Sequence, residues 1–214
     1  VQNLTASSIY EVPMLMEKEG LDTIALRKLD MEDKPKDMQG WYDMVANVLQ
    51  KYDRKVKIAV VGKYVALQDA YISITESLRH AAVANKTELE IKWVNSEEIE
   101  APETDMAALM ADVDGILVPG GFGNRGIEGK IKAINYARVN KIPFFGICLG
   151  MQTAVIEFAR NVCGFTGANS SEFDPEGPYP VIDLMPEQVD IEDMGGTMRL
   201  GLYPCKITRN SLTA

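Results

Sequence analysis

The 214-residue chain carries 22 lysines and arginines against 31 aspartates and glutamates, a net charge of −9, and 46% of it is hydrophobic. That is enough apolar sequence for one ordinary domain plus an appendage, or for two small ones, and the acidic balance argues against a nucleic-acid-binding surface. No apolar run approaches bilayer length and no signal peptide with a basic start is visible, so a cytoplasmic protein that touches no membrane is expected.

Residues 1–54 differ in character from the rest of the chain. Ser7-Ser8-Ile9-Tyr10-Glu11-Val12-Pro13 leads into a segment rich in Met and Glu and then a turn at Lys34-Pro35, too little for a domain. Trp41, Met44, Val45, Val48, Leu49 and Tyr52 recur at helical spacing and predict one amphipathic helix whose stripe is a packing surface. From Lys55 the pattern alternates: strand 56–61, helix 71–84, strand 89–94, a short helix at 106–111, strand 115–118, helix 131–139, a buried strand 142–147 and helix 149–160. The alternation predicts an α/β fold, a flavodoxin-like, doubly wound and mostly parallel sheet with helices on both faces. In such sheets the ligand site lies beyond the carboxyl ends of the strands. Past Phe165 the pattern weakens to a loop at 174–180, a strand at 181–185 and an acidic, glycine-bearing loop at 190–196.

Two motifs fall at the predicted ligand edge. Cys148 sits between Gly146 and Gly150, where an apolar run gives way to a helical period. This is the geometry of a nucleophile elbow, in which the glycines remove side chains that would collide. At a helix start, free N–H groups and the helix dipole favour the reactive thiolate. The second motif, Val118-Pro119-Gly120-Gly121-Phe122-Gly123, comes directly after a strand and can present backbone N–H groups to a developing oxyanion. Together the N–H groups of Gly121 and Leu149 predict acyl transfer from an amide or ester; no GxxxxGK[ST] sequence is present for phosphoryl transfer. Cys163 and Cys205 read as core or incidental thiols, and the odd count of three fits neither a disulfide frame nor a zinc site. The acidic stretch 183–193 lacks the spacing of a calcium loop, so no metal site is expected.

Pro119-Gly120-Gly121-Phe122-Gly123 together with Gly146-Ile147-Cys148-Leu149-Gly150-Met151-Gln152 resembles the class I (triad) glutamine amidotransferases. Gly62-Lys63-Tyr64, Asp69-Ala70-Tyr71, Gly126-Ile127-Glu128-Gly129, Ala168-Asn169-Ser170-Ser171-Glu172-Phe173 and Gly195-Gly196-Thr197-Met198-Arg199-Leu200-Gly201 narrow the likeness to the CTP synthase family, and Ser8-Ile9-Tyr10-Glu11-Val12-Pro13 resembles the end of that family's synthetase domain. The resemblance implies that residues 1–54 end a synthetase domain and its linker, and that residues 55–214 form an amidotransferase domain incomplete at its C-terminus. It implies Cys148 as the nucleophile, Gly121 and Leu149 as oxyanion donors, and Gly121, Leu149, Gly150, Met151, Gln152 and Glu172 as the glutamine site. Arg125, Glu128 and Arg199 fall where a GTP activator and a glutaminase lid are expected. No cofactor is expected on this stretch itself; the whole enzyme implies ATP, UTP, Mg2+ and GTP as activator, a synthetase partner domain and a homotetramer.

The family completes its triad with a His and a Glu later in the chain. The single histidine here, His80, matches a helical position and is expected to be a partly buried structural residue. The sequence is therefore expected to be a fragment with a placed nucleophile, inactive or very weak alone. Two rival readings stand beside this one: the glutaminase subunit of another amidotransferase or a related cysteine hydrolase, and a non-catalytic module that holds glutamine or GTP.

Overall fold

The computed structural model describes residues 1–2, 5–185 and 204–211, and the chain divides into two units, Val1–Ala154 and Val155–Ala214. In the first, a capping box organises the N-terminal segment: the Ser8 hydroxyl accepts from the Tyr10 N–H at 3.3 Å, and the Glu11 carboxylate accepts from the Ser8 N–H at 2.8 Å. This opens a 3-10 turn that runs into α1 (Val12–Lys18), with Pro13 in the first turn where its missing donor costs nothing. Helices α2 (Leu21–Lys28) and α3 (Gln39–Leu49) come next. The predicted stripe is shorter than its spacing suggests. Val45 alone is buried, Trp41 and Leu49 stay exposed, and Tyr52 lies past the helix, where its hydroxyl donates to the Asn47 carbonyl at 3.0 Å.

The β-branched run of β1 (Lys55–Gly62) forms the middle of the sheet. A 3-10 turn at Gln68–Tyr71 leads into α4 (Ile72–Ala84), which starts one residue after the expected position, then β2 (Glu88–Asn95). Two short helices, α5 (Ser96–Ile99) and α6 (Met106–Leu109), precede β3 (Gly115–Val118). Helix α7 (Ile127–Asn140) joins β3 to β4 (Phe144–Gly146), and α8 (Leu149–Asn161) comes after it. The four strands are all parallel, in the order β2-β1-β3-β4, which is the flavodoxin-like order with its switch point between β1 and β3. The crossovers through α4 and α7 step in opposite directions from that point, so right-handed connections put these helices on opposite faces.

One face carries the core. Ala59 and Val61 of β1, Val94 of β2, and Ile116 and Val118 of β3 alternate with the strand period and pack with Ile99, Met106, Met110, Ala133, Ile134 and Ala137. Helix α7 begins four residues before the expected start. Gly126, at φ 73, turns the chain there, and Ile127 is already buried. The strand leading to Cys148 departs from the expected buried run of six residues: β4 has three, and Phe145 is 63% exposed. The reason is that among the described residues β4 pairs only with β3, so it is an edge, and Pro143 before it has no N–H to give.

In the second unit β5 (Ala168–Ser170) pairs in parallel with β6 (Tyr179–Ile182), two residues ahead of the expected strand. Phe165 stacks on Tyr179 with centroids 5.2 Å apart. The loop expected at 190–196 lies outside the described residues.

Candidate active site

Between Gly146 and Leu149 the chain turns on Ile147 and Cys148. Cys148 adopts φ 52, the left-handed region that disfavours any residue with a side chain and costs on the order of 1–3 kcal/mol unless its surroundings impose it. The surroundings here are backbone. The Ile147 N–H donates to the Val118 carbonyl at 3.0 Å, and the Cys148 carbonyl accepts from the N–H groups of Met151 and Gln152, each at 3.0 Å. A Cβ on Gly146 would stand 2.6 Å from the Gly150 carbonyl, and a Cβ on Gly150 would stand 2.8 Å from the Val118 carbonyl carbon and nearer still to its oxygen. The two glycines therefore let strand end and helix start approach closely enough to hold the cysteine out. Its side chain is exposed.

The glycine loop after β3 closes against this turn. A Cβ on Gly120 would lie 3.4 Å from Cys148 Cβ and 3.9 Å from its Sγ, and one on Gly121 would lie 3.6 Å from the Leu149 side chain. Among the described residues the N–H groups of Gly121 and Leu149 have no hydrogen-bond partner; for Leu149 this is the orphaned donor of a first helical turn. The cavity in front of the thiol, about 420 Å³, is lined by Tyr64, Ala70 and Tyr71 from the loop after β1, by residues 119–122 and by Cys148. Ser73 and Ile74 of α4 complete the lining. The loops after β1 and β3 leave the carboxyl ends of the strands that flank the switch point, and the Cys148 turn leaves that of the edge strand β4. Tyr71 fixes the floor: its ring stacks on Trp93 at 6.0 Å, its oxygen accepts from the Tyr64 N–H at 3.2 Å, and burial pushes its phenol pKa up. A Cβ on Gly62 would meet that ring at 2.8 Å.

The structure thus brings Cys148, Gly121, Leu149 and Gly150 together. Met151 is half exposed and Gln152 partly buried on the first turns of α8. Glu172 belongs to the second unit, exposed after β5, with its N–H donating to Ser170 Oγ at 3.2 Å. Arg125 pairs with Glu97 at 3.0 Å, and Glu128 is the exposed residue of an otherwise buried first turn of α7. Arg199 lies outside the described residues. His80 is exposed, not partly buried as expected: its Nε2 lies 2.5 Å from the oxygen of the Tyr10 hydroxyl, which donates its one proton to Glu76 at 2.5 Å, and it does not line the Cys148 cavity. Cys163 and Cys205 are exposed as well, so neither is a core thiol. Among the described residues no cluster of three His, Cys, Asp or Glu could hold a metal ion, and no helix is long and apolar enough to cross a membrane.

Two lysines beside the loop escape the sequence reading. Lys63 donates to the Phe122 carbonyl. Lys130, on α7, is 1% exposed, and its Nζ lies 3.8 Å from where a Gly121 Cβ would stand. Burial first, and then the charge of Lys63, lower its pKa to about 8 against a smaller opposing effect of Glu100. The available signal was position: Lys130 falls three residues after Ile127 and four before Ile134, on the stripe that α7 buries.

An α/β sheet with a cysteine elbow and an adjacent glycine loop at its switch point is the framework of an amidotransferase. The family model for glutamine amidotransferase class-I matches residues 66–213, and the chain belongs to that family. Within it the similarity is to CTP synthases. The chain is 61% identical over 213 residues to the CTP synthase of Ruminiclostridium cellulolyticum, covering 99% of this chain and 39% of that protein. It is 59% identical over 214 residues to that of Desulfitobacterium hafniense, covering all of this chain and 40% of that protein. Among solved structures, the glutaminase domain of Trypanosoma brucei CTPS with bound acivicin superposes with a TM-score of 0.58 at 48% identity, over 61% of this chain and 50% of that one. The chain spans about two fifths of the length of the curated relatives it matches.

Proposed function

We propose that this chain is the glutamine-hydrolysing part of a CTP synthase. Cys148 Sγ attacks the side-chain amide carbon of glutamine, and the carbonyl oxygen, as it becomes an oxyanion, is held by the N–H groups of Gly121 and Leu149. The C–N bond then breaks, the nitrogen leaves as ammonia with the thiol's proton, and water releases glutamate from the thioester. The ammonia serves ATP-dependent amination of UTP to CTP in a synthetase domain. The substrate glutamine is held along residues 149–152, and the Glu172 carboxylate is the partner chemically suited to its α-ammonium group. Arg125, Glu128 and Arg199 serve the GTP activator and the lid; residues 1–54 end the synthetase domain and linker, and residues 55–214 form the amidotransferase domain. The whole enzyme uses ATP, UTP and Mg2+, assembles as a homotetramer and works in the cytoplasm.

The observation that carries this reading is the strained, exposed Cys148 at φ 52 in a turn packed against the glycine loop, with the N–H groups of Gly121 and Leu149 unpartnered among the described residues. The rival reading is a binding-only module; His80 hydrogen-bonds Tyr10 and does not line the cavity, so it is not the base that serves Cys148. Intact-mass analysis after incubation with acivicin, comparing this chain with Cys148→Ala, tests the proposal. A single adduct lost in the variant supports it. No adduct in a folded chain that still binds glutamine leaves the binding module as the better reading.

A further inference from the structure

We propose that Lys130 is a positioning residue of the oxyanion pocket, its ammonium group lodged beneath Gly121 to favour the negative charge that develops on the other side of the glycine loop. The inference rests on the glutaminase reading of Cys148. A lysine that is 1% exposed, with no acceptor in hydrogen-bond range among the described residues, is an expensive way to fill a helix face. Its neighbours along the same stripe, Ile127, Ile131 and Ile134, fill theirs with hydrocarbon. What distinguishes position 130 is the direction of the side chain. Its Nζ ends 3.8 Å from the Cβ point of Gly121, a residue that lines the Cys148 cavity and whose N–H has no hydrogen-bond partner among the described residues.

The charged groups around it leave room for such a role. Lys63, from the loop after β1, flanks Gly121 from its own side, with Cε 3.8 Å from the same point, but its ammonium is engaged by the Phe122 carbonyl. Glu100, at the end of α5, acts on Lys130 through space without forming an ion pair. The Cys148 thiol lies against the neighbouring residue of the same loop, its Sγ 3.9 Å from the Cβ point of Gly120. A desolvated cation in this position has no anion of its own until one forms on the substrate. It is preorganised for that charge, and no solvent must reorganise when the charge appears. The value of about 8 for Lys130 means that the charge is present at neutral pH and is lost in mildly alkaline solution.

The experiment compares two reagents on the chain as it stands. One is a glutamine analogue in which a chloromethyl group replaces the amide nitrogen: the thiolate adds to its carbonyl, forming an oxyanion, before chloride leaves and a thioether remains. The other is iodoacetamide, which the thiolate displaces directly with loss of iodide and no oxyanion. The ratio of the two labelling rates cancels the thiolate fraction and isolates the oxyanion pocket. Lys130→Met is expected to lower this ratio by about 10- to 100-fold at pH 7, less than the loss of a direct oxyanion donor. In the unaltered chain the ratio is expected to fall as pH rises through about 8, and Lys130→Arg, which keeps its charge over that range, holds it flat. Equal slowing of both reagents in Lys130→Met, a ratio unchanged by that substitution, or a wild-type ratio flat from pH 7 to pH 10 would each overturn the proposal. Should Lys130→Met fail to fold, the wild-type pH profile and Lys130→Arg still decide it. Failure of the underlying reading looks different: the chloromethyl analogue then labels neither the wild type nor, selectively, Cys148.

Discussion

Replacing Gly150 by alanine separates local helix preference from close packing, because the two predict opposite signs. Gly150 is the second residue of α8, where alanine is ordinarily preferred over glycine by up to about 1 kcal/mol. Its Cβ, however, would stand 2.8 Å from the carbonyl carbon of Val118 and 3.1 Å from its Cβ, with the carbonyl oxygen closer still. Val118 is wholly buried at the end of β3, and that same oxygen accepts the Ile147 N–H that fixes the elbow. Relief requires strand and helix to part, which breaks this bond and opens the core; the combined cost is about 2–4 kcal/mol. Gly121→Ala is the control, since its Cβ meets nothing nearer than 3.6 Å. Urea unfolding monitored by tryptophan fluorescence, with the rate of Cys148 labelling by acivicin alongside, is the assay. Gly150→Ala is expected to lower the unfolding midpoint and the labelling rate together, while Gly121→Ala leaves the midpoint close to that of the parent. A Gly150→Ala chain as stable as the parent, or more so, would refute the close-approach account of the elbow.

The carboxylate of Asp112 accepts from Lys57 at 2.8 Å and from Lys92 at 2.7 Å, and these bonds hold its pKa down to about 2 from 3.8. Its folded value lies below the unfolded one, so its contribution is present above about pH 4 and lost as pH falls toward 2; Asp112→Asn is expected to flatten that part of the acid unfolding profile, measured as urea midpoints between pH 5 and pH 2.5, and an unchanged slope would count against the bridge. Lys130 has the opposite linkage: its folded pKa, about 8, lies below the ordinary 10.5, so between those values the unfolded chain binds the extra proton and the protein gains stability as pH rises. Lys130→Met is therefore expected to stabilise the chain by up to about 3 kcal/mol at pH 7 and to abolish that alkaline rise; a destabilised variant would show that the lysine is a structural plug.

Which features the sequence announces depends on whether their cause is local. The elbow is legible because Gly146 and Gly150 answer a steric problem set within five residues, and the strands β1 to β3 because their apolar runs are bounded by turns. The length and exposure of β4 are not legible, since a run such as Ile142 to Ile147 looks the same whether one neighbour covers it or two. Helices α1 and α2 escape because their apolar residues keep no clear period, although Ser8 and Glu11 spell the capping box of the turn that leads into α1. Lys130 shows the most useful failure. A lone lysine in a helix reads as solvated surface, and only its phase relative to Ile127, Ile134 and Ala137 puts it on the buried stripe. Hydrophobic patterning marks a core by what belongs there. A residue that keeps the phase of the core but not its chemistry marks a place where stability has been given up, and in this chain that place lies under the one loop where the proposed reaction generates negative charge. The two Lys130→Met measurements therefore bear on each other: a variant that is more stable and yet slower toward the oxyanion-forming reagent alone is an outcome that neither a packing role nor a neutral surface role would produce.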